Sequence, residues 1–312
     1  MRRSAIILAL VLGSASPALS QGQGAPFTVR ESGRDFGRLD EAVAAIGGGQ
    51  GTILIAPGRY RDCAVQEGGR IAYVAAVPGK AVFDAAICED KATLVLRGVS
   101  ARVDGLVFVN NRVPDGNGAG IRIEKGDLDV ANAMFLDSQC GILSAEDSSA
   151  AIRITRSTFA GLGKDPTGNG AHGIYTGNYG SLTITRSRFE RGTGGHYVKS
   201  RAPRTDILDS SFDDTRGDHT NYMIDLSNGS TGRIAGNEFV GGKGKDNYST
   251  MITVAPEGAK NSSAGLVVEN NRASLAPGVD YRTTFVGNWS GDAVTVRNNT
   301  LGAGITPTGK RW

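Results

Sequence analysis

Residues 152–159 read Ile-Arg-Ile-Thr-Arg-Ser-Thr-Phe, and residues 182–189 read Leu-Thr-Ile-Thr-Arg-Ser-Arg-Phe. Each copy is an alternating strand pattern, followed by a small, mostly polar residue two places before an apolar one. This last feature returns eight times, at intervals of 22 to 34 residues: Asn111/Val113, Ala133/Phe135, Ser157/Phe159, Ser187/Phe189, Ser210/Phe212, Asn237/Phe239, Asn271/Ala273 and Asn299/Leu301. A unit this short cannot bury its own apolar face, so the pattern predicts stacked units, a β-solenoid.

The first 20 residues have the pattern of a secretion signal. Arg2 and Arg3 form its basic start, residues 5–12 its apolar stretch and residues 18–20 its small-x-small cleavage site. No apolar run is long enough to span a bilayer, so we expect an exported protein, periplasmic or extracellular, with no membrane span. Cleavage would lower the formal charge from +3 to +1, so the basic composition does not indicate a nucleic-acid partner.

The mature chain divides into three predicted parts. Residues 21–50 form a leader and a capping helix, whose apolar face would cover the open end of the stack. Residues 51–302 form a single all-β solenoid of parallel coils, and residues 303–312 form a C-terminal tail. Asparagines at the turns predict a stacked ladder: Asn111, Asn237, Asn271 and Asn299.

The chain has three cysteines. Cys63 and Cys88 are 25 residues apart, which is one repeat and would place them on adjacent coils. In an exported protein they could form a disulfide, or they could remain separate thiols. Cys140 has no obvious partner, and it is either a buried small apolar residue or a reactive thiol.

The stretch from Gly194 to Arg204 is the richest in side chains that can do chemistry. If Val198 points inward, two-residue alternation sends its neighbours outward: Tyr197, Lys199 and Arg201. Coils stack at about 4.8 Å, so equivalent positions on successive coils align. The predicted outward column is therefore Tyr175, Lys199 and Asp225, with Arg201 beside it.

All three histidines of the chain precede the strands of this column: His172, His196 and His219. Their recurrence at one place on three coils favours a functional site, although they could simply hydrogen-bond turns and stack. Residues 186–204 also contain six basic side chains and one acid, Glu190. Such a patch attracts an anionic ligand, unless it is only a solvated face.

The stacked strands follow an entry segment, Thr52-Ile-Leu-Ile-Ala-Pro-Gly-Arg-Tyr60. In both features the chain resembles the right-handed parallel β-helix proteins of the pectate-lyase superfamily. These include polysaccharide lyases, glycoside hydrolases, epimerases, tailspikes and non-enzymatic surface proteins, so the fold alone does not assign a function. With the basic column, the resemblance implies a lyase that cleaves an acidic, uronate-containing polysaccharide by β-elimination.

A polyuronate lyase needs a base, a partner for the substrate carboxylate and an acid for the leaving oxygen. Similar β-helix lyases, among them alginate lyases and chondroitinase B, use a lysine base with an arginine nearby. The resemblance implies that Lys199 is the base, favoured in its neutral form by the neighbouring cation, and that Arg201 is the carboxylate partner or acid. Proton transfer would be shared by Tyr175, Tyr197 or His196. The predicted substrate-binding residues are His172, Tyr197, Arg204, His219, Asn221, Tyr222 and Asp225.

We predict no cofactor from the residues themselves. Many of the similar enzymes use calcium, and the oxygens for such an ion could come from Asp213, Asp214, Asp218 and Asp225. Asp-rich turns are also common without any metal.

Three other functions remain open. A hydrolase of polygalacturonase type needs paired carboxylates, and of the sequence elements that such enzymes carry, only the Asp-Asp pair occurs here, as Asp213 and Asp214. An alginate-type epimerase would carry an Asp-Pro-His element, which the sequence lacks. A non-catalytic glycan-binding surface protein would need the same basic face without a base.

Overall fold

The computed structural model describes residues 24–165, 167–168 and 170–309. These residues form three long sheets, a two-stranded sheet and one helix, α1 (Leu39–Ile46). The predicted secretion signal lies outside the described residues.

Each long sheet is built by strands that recur once per coil. Sheet A has 12 strands: Arg34–Phe36, Phe27–Val29, Gln50–Ile55, Arg70–Ala75, Ser100–Asp104, Asp127–Ala131, Asp147–Thr155, Tyr179–Thr185, Arg204–Leu208, Thr231–Ala235, Val267–Glu269 and Thr295–Arg297. Sheet B has 10: Gly58–Tyr60, Ala81–Asp84, Leu106–Val109, Met134–Leu136, Thr158–Ala160, Arg188–Glu190, Ser211–Asp213, Glu238–Gly241, Arg272–Leu275 and Thr300–Leu301. Sheet C has 10: Ala64–Gln66, Ala92–Leu96, Ala119–Ile123, Cys140–Ser144, Ile174–Thr176, Val198–Ser200, Ile224–Leu226, Thr250–Val254, Thr283–Asn288 and Ile305–Gly309. The two-stranded sheet pairs Asp218–Thr220 with Gly244–Lys245.

Parallel pairing between consecutive coils confirms the predicted solenoid. The apolar residue of five repeats, from Phe135 to Phe239, lies in an aromatic stack inside sheet B, with neighbouring ring centroids 4.7 to 5.9 Å apart. In the first predicted copy, Phe108 and not Val113 is in register with Phe135. The members of the stack are Phe83, Phe108, Phe135, Phe159, Phe189, Phe212 and Phe239. Stacked rings bury large apolar areas, so this column forms the centre of the core.

The small polar residue of the repeat forms a hydrogen-bonded ladder. The Asn237 N–H donates to Oδ1 of Asn271, and the Asn271 N–H donates to Oδ1 of Asn299, at 2.9 and 3.0 Å. The predicted asparagine ladder is confirmed for these three residues. It is wrong for Asn111, which follows the in-register Phe108 by three residues and donates its N–H to Ser138 Oγ instead.

The two ends of the solenoid differ from the predicted boundaries. At the start, Phe27–Val29 and Arg34–Phe36 add antiparallel strands to sheet A, so part of the predicted leader is sheet. Helix α1 lies on the first coils with Leu39, Ala42 and Val43 buried, as expected of a cap. At the far end, Ile305–Gly309 pairs with Thr283–Asn288, so the solenoid continues past residue 302.

The cysteines behave as two separate cases. Cys63 and Cys88 form a disulfide between adjacent coils. Cys140 is a buried free thiol, and burial raises its pKa to about 11. A thiol that stays protonated is a poor nucleophile, which fits the apolar interpretation of Cys140.

At the entry to sheet C, two consecutive residues of each coil face the interior. Tyr197 and Val198 both belong to the main core, and the Tyr197 ring lies 6.4 Å from the rings of Phe189 and Phe212. At the position equivalent to Tyr197, a Cβ on Gly120 would lie 2.7 Å from Phe135. Strict alternation fails here, so the prediction that Tyr197 points outward is wrong.

Candidate functional site

The outer face of sheet C carries the predicted column. Tyr175 pairs in register with Lys199, and Lys199 pairs with Asp225. Because the interior takes two residues in a row, a second outward column lies three residues earlier on each coil. The second column, which we call the ring column, contains His172, His196 and Tyr222, whose centroids are 4.9 and 5.3 Å apart.

The imidazoles of the ring column are neutral. Burial and the nearby Lys199 charge lower the pKa of His196 to about 3. Burial, with the neighbouring His196 and Lys199, also lowers the pKa of His172 well below its usual value. The His196 backbone N–H donates to His172 Nδ1 at 3.1 Å, so the proton of neutral His172 is on Nε2.

Glu257 bridges the two predicted catalytic cations, and sequence reasoning missed it. One carboxylate oxygen lies 2.5 Å from Lys199 Nζ, and the other lies 2.5 Å from Arg201 Nη2. Arg201 also donates through Nε to the Tyr175 hydroxyl at 2.9 Å, and through Nη1 to Asn228 Oδ1 at 2.7 Å. The guanidinium is therefore fixed from three sides and cannot rotate freely.

Asp225 lies beneath these groups and is almost fully buried. It accepts hydrogen bonds from Ser227 Oγ at 2.7 Å and Thr253 Oγ1 at 2.9 Å. Lys199 Nζ and His196 Nε2 each lie 3.6 Å from one of its oxygens. Burial raises the pKa of Asp225, although the Lys199 charge opposes this effect. We call Tyr175, Lys199, Arg201, Asp225 and Glu257 the Lys199 cluster.

A polar groove of about 1050 Å³ runs along the outer face of sheet C. Asp90 and Arg122 lie towards its N-terminal end, and Tyr175, Arg201 and Asn261 line the other end. Lys199 and His196 are not in its wall, since Glu257 covers Lys199 and His196 is buried. Of the candidate catalytic residues, Tyr175 and Arg201 are therefore the ones that a ligand in the groove could contact directly.

Residues 119–301, more than half of the chain, match the family model described as the right handed beta helix region. The chain belongs to the right-handed β-helix family. Right-handed β-helix folds are often carbohydrate-active. A search of curated proteins finds no match. In the described part of this β-helix, no helix is long and apolar enough to cross a bilayer.

Behind the outer face, a buried polar network holds the ring column of this β-helix in place. Tyr197 donates its hydroxyl to Asp214 Oδ1 at 2.7 Å, and Thr220 Oγ1 donates to Asp214 Oδ2 at 2.7 Å. Lys245 Nζ donates to the same oxygen of Asp214 at 3.0 Å and to the Asn221 carbonyl. Tyr197 and the Asn221 backbone are thus structural parts of this network, and neither is seen to line the groove.

Two predicted binding residues lie away from the β-helix groove. His219 is exposed on the small two-stranded sheet and forms an ion pair with Asp246 at 2.9 Å. Arg204 is exposed at the start of a sheet A strand and forms an ion pair with Asp206 at 2.9 Å. Neither residue lines the groove. The third ring that stacks on the histidines belongs to Tyr222, which was predicted to bind substrate.

The aspartates considered for calcium do not converge. Asp214 is buried in the Lys245 network and Asp225 lies under Lys199, while Asp213 and Asp218 are exposed. Within the described residues, no group of three or more His, Cys, Asp or Glu is placed to hold a metal ion. These residues therefore do not fit a calcium site, and no step below uses one.

Proposed function

We propose that this protein is an exported lyase that cleaves an acidic, uronate-containing polysaccharide by β-elimination. The main observation behind the proposal is that the Tyr175 phenol lies next to two cations, Arg201 and Lys199, at one end of a long polar groove. The Tyr175 hydroxyl accepts from Arg201 Nε at 2.9 Å, and Lys199 Nζ lies 5.8 Å from the Tyr175 ring centre. Export rests on the signal pattern of residues 1–20.

The geometry supports a different division of roles from the one predicted. Lys199 is ion-paired with Glu257 and faces Asp225, and a paired ammonium has no lone pair with which to take a proton. Tyr175 is in the groove wall, where Arg201 Nε donates a hydrogen bond to its oxygen and Lys199 Nζ lies 5.8 Å from its ring centre. Tyr175 is therefore our proposed base, while Arg201 and Lys199 offset the charge of the substrate carboxylate.

In the proposed reaction, Tyr175 first loses its hydroxyl proton to solvent, and the phenolate oxygen then takes the proton from the carbon next to the substrate carboxylate. The C–H electron pair forms the carbon–carbon double bond, and the adjacent bond to the leaving oxygen breaks. The leaving oxygen takes the proton from the Tyr175 hydroxyl, which returns Tyr175 to its starting state as a phenolate. Each turnover thus produces one unsaturated uronate end.

Hydrolysis by paired carboxylates fits the site less well. Asp225 is almost fully buried under Lys199, and Glu257 is held by two cations. Asp213 and Asp214 do not replace them, because Asp214 is bound to Tyr197 and Lys245. Neither pair presents two free carboxyl groups to a sugar in the groove.

The test is the ultraviolet absorbance of unsaturated uronate, measured with mature protein on alginate, polygalacturonate, glucuronan, chondroitin and bacterial exopolysaccharides. We expect absorbance to rise with one of them, and Tyr175→Phe to lower kcat by about 10²–10⁴-fold with little change in binding. Tyr248→Phe is the matched control, because Tyr248 is an exposed tyrosine stacked on Tyr281, outside the Lys199 cluster.

Two results would contradict the proposal. New reducing ends without an absorbance rise would identify a hydrolase. Binding of a glycan with no product of either kind would identify a non-catalytic glycan-binding protein.

A further inference from the structure

Glu257 lies between the two cations to which the proposed function assigns the substrate carboxylate. Its two oxygens contact Lys199 and Arg201, one each, which is how a carboxylate bridges two cations. Its own side chain remains 40% exposed, although the two cations are only 11% and 24% exposed. Glu257 therefore covers the cations while its outer side faces solvent.

The backbone that carries Glu257 is held by hydrogen bonds, so uncovering the two cations requires a rotation of the side chain alone. The Glu257 N–H donates to the Ser227 carbonyl at 3.0 Å, and Asn228 Nδ2 donates to the Gly258 carbonyl at 3.4 Å. Ala255 and Gly258 adopt positive φ values of 57° and 104°, which shape the exposed turn between them. Rotation about the Glu257 side-chain bonds would move the carboxylate into solvent without disturbing the turn.

We propose that Glu257 is an internal stand-in for the substrate carboxylate and makes the site selective for acidic sugars. The inference deepens the proposed function and rests on it for the nature of the substrate. When the Glu257 side chain leaves, two largely buried cations lose their partner, which is costly unless another anion replaces it. The carboxylate of a uronate replaces the lost contacts, whereas a neutral sugar does not. Binding of a neutral glycan would therefore leave the two cations without an anionic partner, which disfavours it.

A permanent structural role for Glu257 predicts the opposite result. If Glu257 only oriented Arg201, its removal would release the guanidinium and weaken carboxylate binding. If it is a stand-in, its removal ends a competition and strengthens carboxylate binding. The sign of the change in affinity therefore separates the two roles.

The experiment is calorimetric titration of the mature protein with D-glucuronate, D-galacturonate and D-mannuronate, and with D-glucose as the neutral probe. We expect Glu257→Gln and Glu257→Ala to bind at least one uronate about tenfold or more tightly than the unmodified protein. Neither the unmodified protein nor either Glu257 variant should bind D-glucose. Glu190→Gln is the matched control, because Glu190 also lies between two arginines, Arg188 and Arg191, but on sheet B.

Equal or weaker uronate binding by both variants would overturn the stand-in role, as would tighter binding in Glu190→Gln. The readout needs no turnover, so it is independent of the lyase proposal. Tighter uronate binding by the Glu257 variants, with no unsaturated product from any glycan, would support the stand-in and reject the lyase. With turnover, the same variants should show a lower KM.

Discussion

His196 is a neutral, buried imidazole in the middle of the ring column. It stacks between His172 and Tyr222, and its Nδ1 atom is buried with no hydrogen-bond partner in the described part of the chain. Burial and the Lys199 charge lower its pKa to about 3, so protonation inside the fold is strongly opposed. The residue that helps to build the site therefore also makes the fold sensitive to acid.

The pH dependence of unfolding tests this at the residue scale. The folded-state pKa of about 3 lies below the ordinary value of 6.5, so between these values the unfolded chain binds more protons. The free energy of unfolding therefore falls as the pH drops from 6.5 towards 3. We expect His196→Gln to make this decrease shallower, as measured by urea denaturation at a series of pH values.

His219→Gln is the control for that experiment. Its pKa is raised by the hydrogen bond to Asp246, so its contribution has the opposite sign and is lost as the pH rises. The buried carboxyl of Asp225, with its raised pKa, is present in all of these proteins. If His196→Gln leaves the slope of unfolding free energy against pH unchanged, His196 is not the group whose protonation destabilises the fold.

At the scale of the strand, the repeat correctly predicts which residues of successive coils lie side by side. It does not predict side-chain direction where a strand departs from two-residue alternation. The Tyr175–Lys199–Asp225 column follows from register, because parallel coils place equivalent residues side by side. The prediction for Tyr197 is wrong because two consecutive residues, Tyr197 and Val198, both face the interior. The adjacent apolar pairs Met223–Ile224 and Met251–Ile252 at the same position carry the signal that could have revealed this.

The residues that the sequence did not reveal lie in turns and insertions. Glu257 is 58 residues from Lys199 and follows a strand on another coil, where no repeat fixes its direction. His219 is on an inserted strand pair outside the three long sheets, so its position in the sequence does not give its position on the face. Repeats specify position along the stack, whereas turns are shaped by local contacts.

The buried Lys245 network leads to an element-scale prediction. The Lys245 side chain is 3% exposed and pairs with fully buried Asp214, which also binds Tyr197 and Thr220. Lys245→Met leaves the Asp214 carboxylate buried without its cation, so we expect a loss of about 3–5 kcal/mol in the free energy of unfolding. Chemical denaturation measures this change.

Lys243→Met makes the same substitution two residues away at an exposed position and should change stability little. The double variant Lys245→Met/Asp214→Asn should recover part of the loss, since the unpaired charge is gone. If the double variant is less stable than Lys245→Met alone, the uncompensated charge is not the cause.

At the scale of the whole molecule, stability is transmitted from coil to coil. Each coil contacts its neighbours, so an unprotected end is the place where opening begins. Helix α1 covers the N-terminal end, and the disulfide between Cys63 and Cys88 ties adjacent coils nearby. The Lys199 cluster lies in the middle of the stack, away from both ends.

Destabilising helix α1 should therefore increase local unfolding in the first coils more than in the Lys199 cluster. Leu39 is fully buried in the core at the first residue of α1, and Leu39→Ala should cost about 2–5 kcal/mol. We expect hydrogen exchange, followed by mass spectrometry, to accelerate in residues 27–75 and to remain slow in residues 172–226. Glu41→Gln, an exposed change in the same helix, is the control. Uniform acceleration along the chain would instead indicate a single cooperative unit.

The register of sheet C also bears on how such a protein can change through inheritance. All the groups of the Lys199 cluster and the ring column come from residues 172–257, whereas the groove extends back to Asp90. Duplication of one whole coil before residue 172 would lengthen the groove by about 4.8 Å and leave the contacts among those groups unchanged. If the proposed function holds, unequal recombination between repeats would change the number of sugars that the groove holds without changing the reaction.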